Sequence, residues 1–257
     1  MINYEEVIAL VKQTDNIIFD DEATGHVLKK GKDDYVTYVD LGVQHFLKKE
    51  LYDRYPEVAF MGEEEGENVL HPEGLCWILD PIDGTTNLIH HMNLSAVSLG
   101  LWEKGQIVFG VVYNPFTKET FSAVRGQGAF YNGKPIRTNS ETDMKMCLIS
   151  FGSSPYDRSF ADKTFEIIKN IYLDSREIRR LGAASLDLCY IAAGKTDGYY
   201  EMALKPWDYA AGSVILEEAG GIVTTMEGEP LSYEHGTSIL AASNQTIYDK
   251  LKEYMKV

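Results

Sequence analysis

Leu75 to Asn87 reads LCWILDPIDGTTN, and the interpretation of the whole chain turns on this stretch. The apolar run Leu75–Leu79 predicts a strand. Asp80 then stands at its C-terminal end, and Pro81 stiffens a turn that brings Asp83 round beside it. Two carboxylates held together repel, so something must offset that cost, and a metal ion is the obvious candidate. The carbonyl of Ile82, caught between them, adds a third oxygen of the kind Mg2+ prefers. If Gly84-Thr85-Thr86 opens a helix, its free N–H groups form an anion seat beside the metal. The string D-x-x-D-G-T by itself also fits a turn followed by a capped helix. Phosphatases that form an aspartyl-phosphate are excluded by spacing, because their two acids stand two apart and Pro81 occupies that place.

After this stretch, the segments SAVSLGLW, QIVFGVVYN and ETFSAV alternate like strands, and EVAFMG does so before it. Their connections, such as Glu103–Gly105, are too short for helical crossovers, so this part of the sheet should be antiparallel. Nearer the start, Val7, Leu10, Val11 and Ile18 fall at helical spacing, and Val39, Val43, Phe46, Leu47 and Leu51 mark a second helix that Pro56 ends. The polar DDEATGHVLKKGKDD between them reads as a loop or a flexible hairpin. From MCLISF onward the rhythm changes: strands alternate with helices over 160–172, 185–193, 207–219 and 246–255. The prediction is an α+β fold of layered helix and sheet, antiparallel-rich in its first half and mixed in its second. The change of architecture near Thr138–Asp143 divides it into residues 1–138 and 139–257.

A chain of 257 residues with 44% apolar content has enough material for a large core. Its 39 acidic against 24 basic residues give a formal charge of -15, which argues against binding nucleic-acid phosphates or anionic membranes. An anionic substrate would need a local cation to approach. MINYEEVIAL carries acids where a secretion signal needs bases, and no run is long enough for a membrane span, so a cytoplasmic protein is expected. Cys76, Cys147 and Cys189 are scattered in apolar sequence, as reduced core residues are.

Gly62–Glu64 (GEE), Trp77–Asn87 (WILDPIDGTTN) and Pro206–Gly221 (PWDYAAGSVILEEAGG) together resemble the inositol monophosphatase family of Mg2+-dependent, lithium-sensitive phosphatases. The resemblance spans nearly the whole chain. It implies a layered αβαβα sandwich and metal ligands on Glu63, Asp80, the Ile82 carbonyl, Asp83 and Asp208, holding two to three Mg2+ ions. An acidic run such as GEEEGE is ordinarily a solvated face; the family motif singles out Glu63, with Glu64 as the fallback. Asp208 also suits a helix start, where the dipole favours an acid. Asp40, in TYVD, fits a capping box of the second helix; the resemblance instead puts it beside the attacking water, paired with the Thr85 hydroxyl and backed by Glu63.

The implied reaction is in-line attack of metal-activated water on a phosphate monoester, with Gly84, Thr85 and Thr86 holding phosphate oxygens. For the alcohol, the resemblance gives Gly182, Ala183, Ala184 and Glu201, with Asp83 and Asp208 serving metal and substrate together. Glu201 is expected at the end of the strand DGYYE. Lys29 or Lys30 resembles a family lysine near the site. Adjacent His90 and His91 point different ways and are given no ligand role. Inositol monophosphate is the preferred substrate. Fructose 1,6-bisphosphate or the 2'-phosphate of NADP is the alternative, since Arg179, Arg180 or Lys205 could meet a second anion. A non-catalytic metal-binding interaction protein is the alternative of another class. The resemblance also suggests a homodimer, with SAVSLGLW as one candidate buried surface.

Overall fold

The computed structural model describes residues 2–20, 27–29, 35–64, 70 and 74–256. Helix α1 (Tyr4–Lys12) starts where the Asn3 side chain accepts from Glu6 N–H, and it buries Val7, Leu10 and Val11. The single opening helix expected from the spacing is broken in two. The Thr14 hydroxyl donates to the Val11 carbonyl at 2.6 Å, and the separate turn α2 (Asp15–Ile18) brings Ile18 back to the core. Strands β1 (Val27–Lys29) and β2 (Tyr35–Thr37) pair antiparallel, which favours the hairpin over the loop. Helix α3 (Tyr38–Arg54) follows, with Val39, Val43, Leu47 and Leu51 on its buried face, and it stops just before Pro56.

A seven-stranded sheet holds β3 (Ala59–Gly62), β4 (Leu75–Asp83), β5 (Ala96–Glu103), β6 (Gln106–Asn114), β7 (Glu119–Val124), β8 (Ala129–Tyr131) and β9 (Lys134–Ile136), side by side in chain order. The short helix α4 (Thr85–Ile89) lies between β4 and β5. All neighbours are antiparallel except β3 with β4. Lys104 and Gly105 close the β5–β6 hairpin with φ of 45° and 93°, the left-handed pair that a two-residue turn of primed type demands.

The second half builds a five-stranded mixed sheet from β10 (Leu148–Phe151), β11 (Glu177–Arg179), β12 (Gly198–Leu204), β13 (Ile222–Thr224) and β14 (Thr237–Ala242), in the order β11-β10-β12-β14-β13. Its helices are α5 (Ala161–Asp174), α6 (Ala184–Ala192), α7 (Pro206–Glu218) and α8 (Gln245–Tyr254).

Three apolar clusters define the layers. Val11, Val43 and Leu47 meet Trp77, Leu79, Leu99 and Phe109 on one face of the large sheet. Ile78, Val112 and Phe121 on its other face pack with Leu186, Val214 and Ile239, which places α6 and α7 between the two sheets. Ile149, Tyr200 and Leu240 meet Ile167, Ile247 and Leu251 beyond the small sheet. The order is helix, sheet, helix, sheet, helix, the αβαβα sandwich. The middle cluster draws on residues from both sides of Thr138–Asp143.

As a central layer α7 is apolar on all sides, buried continuously from Tyr209 to Leu216. Gly100 and Gly110 stand opposite each other on β5 and β6 and give it room. A Cβ on Gly110 would meet Ala211 Cα at 2.9 Å, and one on Gly100 would meet Ala210 Cβ at 3.2 Å. The close seat brings the first turn of α7 to the end of β4.

Candidate active site

Strand β4 does not end at Leu79. It runs through Asp83, and the expected turn at Pro81 is a bulge within the strand. Asp80 pairs with Ser98 and Asp83 with Ala96, so three steps on β4 oppose two on β5. Side chains alternate along a strand, and residues three apart would ordinarily face opposite sides. The extra residue restores the parity and puts both acids on the face toward α7, where Ser98 also donates to the Trp207 carbonyl. Proline fits the bulge because the unpaired step needs no N–H. Ile82 N–H donates to Asp80 Oδ1 at 3.0 Å, and the Ile82 carbonyl accepts from the Thr85 hydroxyl at 3.1 Å.

A cavity of about 620 Å³ opens here, lined by Glu63, Asp80, Ile82, Asp83, Thr85 and Asp208, with Gly84, Thr86, Gly182, Ala183, Ala184 and Glu201 along its walls. Glu63 extends the β3–β4 pairing by donating its N–H to the Leu79 carbonyl. Its neighbour Glu64 does not line the cavity; its N–H goes to Gln44 Oε1. Asp208 sits in the first turn of α7 and accepts from Lys205 N–H at 2.6 Å, which combines the helix-start role with a place in the cavity. Asp40 is buried in the first turn of α3, and the Thr85 hydroxyl donates to its Oδ1 at 3.1 Å.

Burial pushes the Asp80 carboxyl well above the usual carboxylate range, and the charges of Glu63, Asp83, Asp208 and Asp40 push it further. Asp83 is raised to about 6, again by burial, although bonds from Ser185 and Ala184 work against the rise. Asp208 is raised by burial and by Asp83. Among the described residues no Lys or Arg forms an ion pair with Asp80, Asp83 or Asp208. As placed, no three His, Cys, Asp or Glu side chains among the described residues form a group that could hold an ion. Glu63, Asp80, Asp83 and Asp208 nonetheless all border the same cavity. Buried Asp80 and Asp83 and half-buried Asp208 with a backbone carbonyl beside them, and no Lys or Arg paired to these three acids among the described residues, are a donor set suited to hard divalent cations.

Glu201 does not end its strand, because β12 continues to Leu204, with an irregularity after Glu201 in its pairing to β14. It is buried rather than exposed. Its Oε2 accepts from the Tyr199 hydroxyl and its Oε1 from Ser154 N–H at 2.7 Å. Ser154 holds that bond in a left-handed backbone, φ 43°. Gly152 has its hydrogen against the Glu201 carboxylate, so any Cβ there would collide with it.

Arg180 and Lys205 line the cavity and Arg179 does not. Lys29 lies on β1 and Lys30 falls outside the described residues, while His90 and His91 are exposed at the end of α4. SAVSLGLW is core strand, buried within the chain, and is not available as a dimer surface. The three cysteines are buried and unpaired.

Sequence reasoning missed Asp187 and Ser185 on α6. Asp187 lines the cavity, its Oδ1 has no hydrogen-bond partner among the described residues, and burial pushes its carboxyl well up. Ser185 donates to Asp83. It also passed over Gly152-Ser153-Ser154, although a Gly-Ser-Ser run directly behind the apolar LISF was a visible sign of a strand-end loop.

The sequence profile described as "Inositol monophosphatase family" matches residues 4–256. "Putative Nus factor SuhB" of Neisseria meningitidis serogroup B is 40% identical over 223 residues, 87% of this chain and 85% of that protein. "Inositol-1-monophosphatase" of Rhizobium meliloti is 37% identical over 228 residues, 88% of this chain and 85% of that protein. Among solved structures, the IMPase of Thermotoga maritima superposes with a TM-score of 0.88 at 31% identity, covering 98% of this chain and 96% of that one. This chain belongs to the inositol monophosphatase family.

Proposed function

We propose that the protein is a Mg2+-dependent phosphate monoester hydrolase acting on inositol monophosphate, and that Glu63, Asp80, the Ile82 carbonyl, Asp83 and Asp208 hold two to three ions. The observation that carries this reading is the Thr85–Asp40 pair at the edge of the carboxylate cavity. A protein that merely stores metal has no use for a hydroxyl anchored to a buried acid beside the ligands. Bound there, Mg2+ would lower the pKa of water and neutralise charge on the phosphate.

The chain's own groups do the rest. With its proton committed to Asp40 or the Ile82 carbonyl, Thr85 Oγ1 turns a lone pair toward the cavity and accepts a hydrogen bond from the attacking water. Glu63 stands in the same cavity to assist that proton's departure. Gly84 and Thr86 border the phosphate, while Gly182–Ala184 and Glu201 form the wall against which the alcohol lies. Phosphate release from inositol 1-phosphate that requires Mg2+, is inhibited by Li+ and is abolished in Asp83→Asn tests the reading. A folded wild type that releases phosphate from no monoester would refute it.

A second reading has its own support. Arg180 and Lys205 border the cavity without an ion-pair partner among the described residues, and cations so placed suit a substrate with a second anionic group. SaIMPase-II, a relative of known structure 26% identical to this chain, has been solved with 2'AMP bound. Fructose 1,6-bisphosphate and NADP belong in the substrate panel for that reason. The curated name "Nus factor SuhB" among the relatives keeps an interaction role as the reading of another class. A cytoplasmic homodimer completes the proposal; gel filtration at the mass of one 28.9 kDa chain would contradict the dimer.

A further inference from the structure

Helix α6 begins behind Ala183, which has no side-chain acceptor for the first free N–H groups of the helix. Asp83 supplies one from about a hundred positions earlier in the chain. Its Oδ1 accepts from Ala184 N–H at 3.3 Å, and its Oδ2 accepts from Ser185 N–H at 2.7 Å and from the Ser185 hydroxyl at 2.5 Å. A carboxylate offers about four lone-pair directions. The three donors fill both directions on Oδ2 and one on Oδ1, so one direction remains, on Oδ1. Ser185 itself is fully buried and does not line the cavity, so whatever it does there it does through Asp83.

Building on the Mg2+-dependent reading above, we propose that Ser185 is a positioning residue that makes Asp83 a one-point ligand for the divalent cation. The backbone N–H groups of α6 draw the carboxylate in. The hydroxyl then occupies the last lone pair of Oδ2 and stops the group from turning about its Cβ–Cγ bond. Without it, Oδ2 competes with Oδ1 for the ion, and the fixed angle that an octahedral Mg2+ site needs is lost. Hydrogen bonds behind a metal ligand commonly govern affinity by about 10- to 100-fold.

The test titrates Mg2+ alone, by calorimetry, into the metal-stripped full chain as wild type, Ser185→Ala and Ser185→Thr. Melting curves without metal establish that each is folded. The expected result is affinity weakened about tenfold or more in S185A, and held within about threefold in S185T, which keeps the hydroxyl. Affinity in S185A within about twofold of wild type overturns the proposal, and so does equal weakening in both variants, which would implicate packing rather than the hydroxyl. A wild type that takes up no Mg2+ overturns this proposal and the proposed function together. Tight binding by both wild type and S185A overturns this one alone.

Discussion

The Thr85 hydroxyl lies 3.1 Å from Oδ1 of Asp40, a residue 45 positions earlier on a different helix. This contact joins the end of β4 to the first turn of α3, and it fixes which way the hydroxyl's lone pairs point. Thr85→Ala should lower kcat on inositol 1-phosphate by about 10²- to 10⁴-fold while KM stays within about threefold, because the lost group acts on the attacking water. Steady-state kinetics with calorimetric Mg2+ binding as a control will show it. Loss of Mg2+ binding in T85A would assign Thr85 to the metal site instead.

The raised carboxyls give the metal-free protein an unusual pH dependence. Asp83 ionises near 6 in the fold against an ordinary 3.8, so the folded chain retains a proton that the unfolded chain has released. The resulting stability is fully present below about pH 4 and is lost as pH rises through about 6, roughly 3 kcal/mol for this one group. Melting of wild type and Asp83→Asn in EDTA measures it. Wild type should lose stability relative to D83N between pH 4 and pH 7, and saturating Mg2+ should remove that loss. Parallel curves at every pH would contradict the assignment.

Gly152→Ala should disturb the alcohol wall and leave the carboxylate cluster in place, because the new Cβ displaces Glu201. KM for inositol 1-phosphate is expected to rise about tenfold or more, with a much smaller change for p-nitrophenyl phosphate, which has no polyol hydroxyls to lose. Equal losses on both substrates would place Glu201 outside alcohol recognition.

Glu119 joins the two halves. It accepts from Tyr131, Tyr190 and Thr117 at 2.9 Å each and pairs with Lys195, whose ammonium lies 4.7 Å and 4.5 Å from the centres of the Tyr131 and Tyr190 rings. Glu119→Ala leaves three hydroxyl donors and the exposed Lys195 ammonium without their acceptor and should cost about 2 kcal/mol in denaturant unfolding. Activity of the remaining folded protein should be close to normal. A cost below about 1 kcal/mol would mean the cluster is solvated on its own.

The helices and most strands were legible because burial is periodic. Val39, Val43, Leu47 and Leu51 announce one helix face, and QIVFGVVYN marks β6 to the residue. The β8–β9 hairpin was also available, since Asn132-Gly133 adopts the two left-handed φ values that this dipeptide favours, but the flanking strands are too short to show alternation. Glu63, Asp80, Asp83 and Asp208 were legible as a set only through the family motifs. The bulge was not, because a bulge is defined by the partner strand. Glu201, Ser185 and Lys195 were misplaced or missed for a related reason: their roles are set by Ser154, Asp83 and Glu119, which lie 47 to 102 positions away.

The extra residue in β4 makes this segment sensitive to length more than to identity. Exchanging Pro81 leaves the bulge in place, whereas losing a single codon between Asp80 and Asp83 would turn the acids into ordinary neighbours two apart on one face and remove the bulge that holds the Ile82 carbonyl within reach of the Thr85 hydroxyl. A reading-frame-preserving deletion of three nucleotides there would keep both carboxylates on the face toward α7 and unseat the backbone oxygen between them.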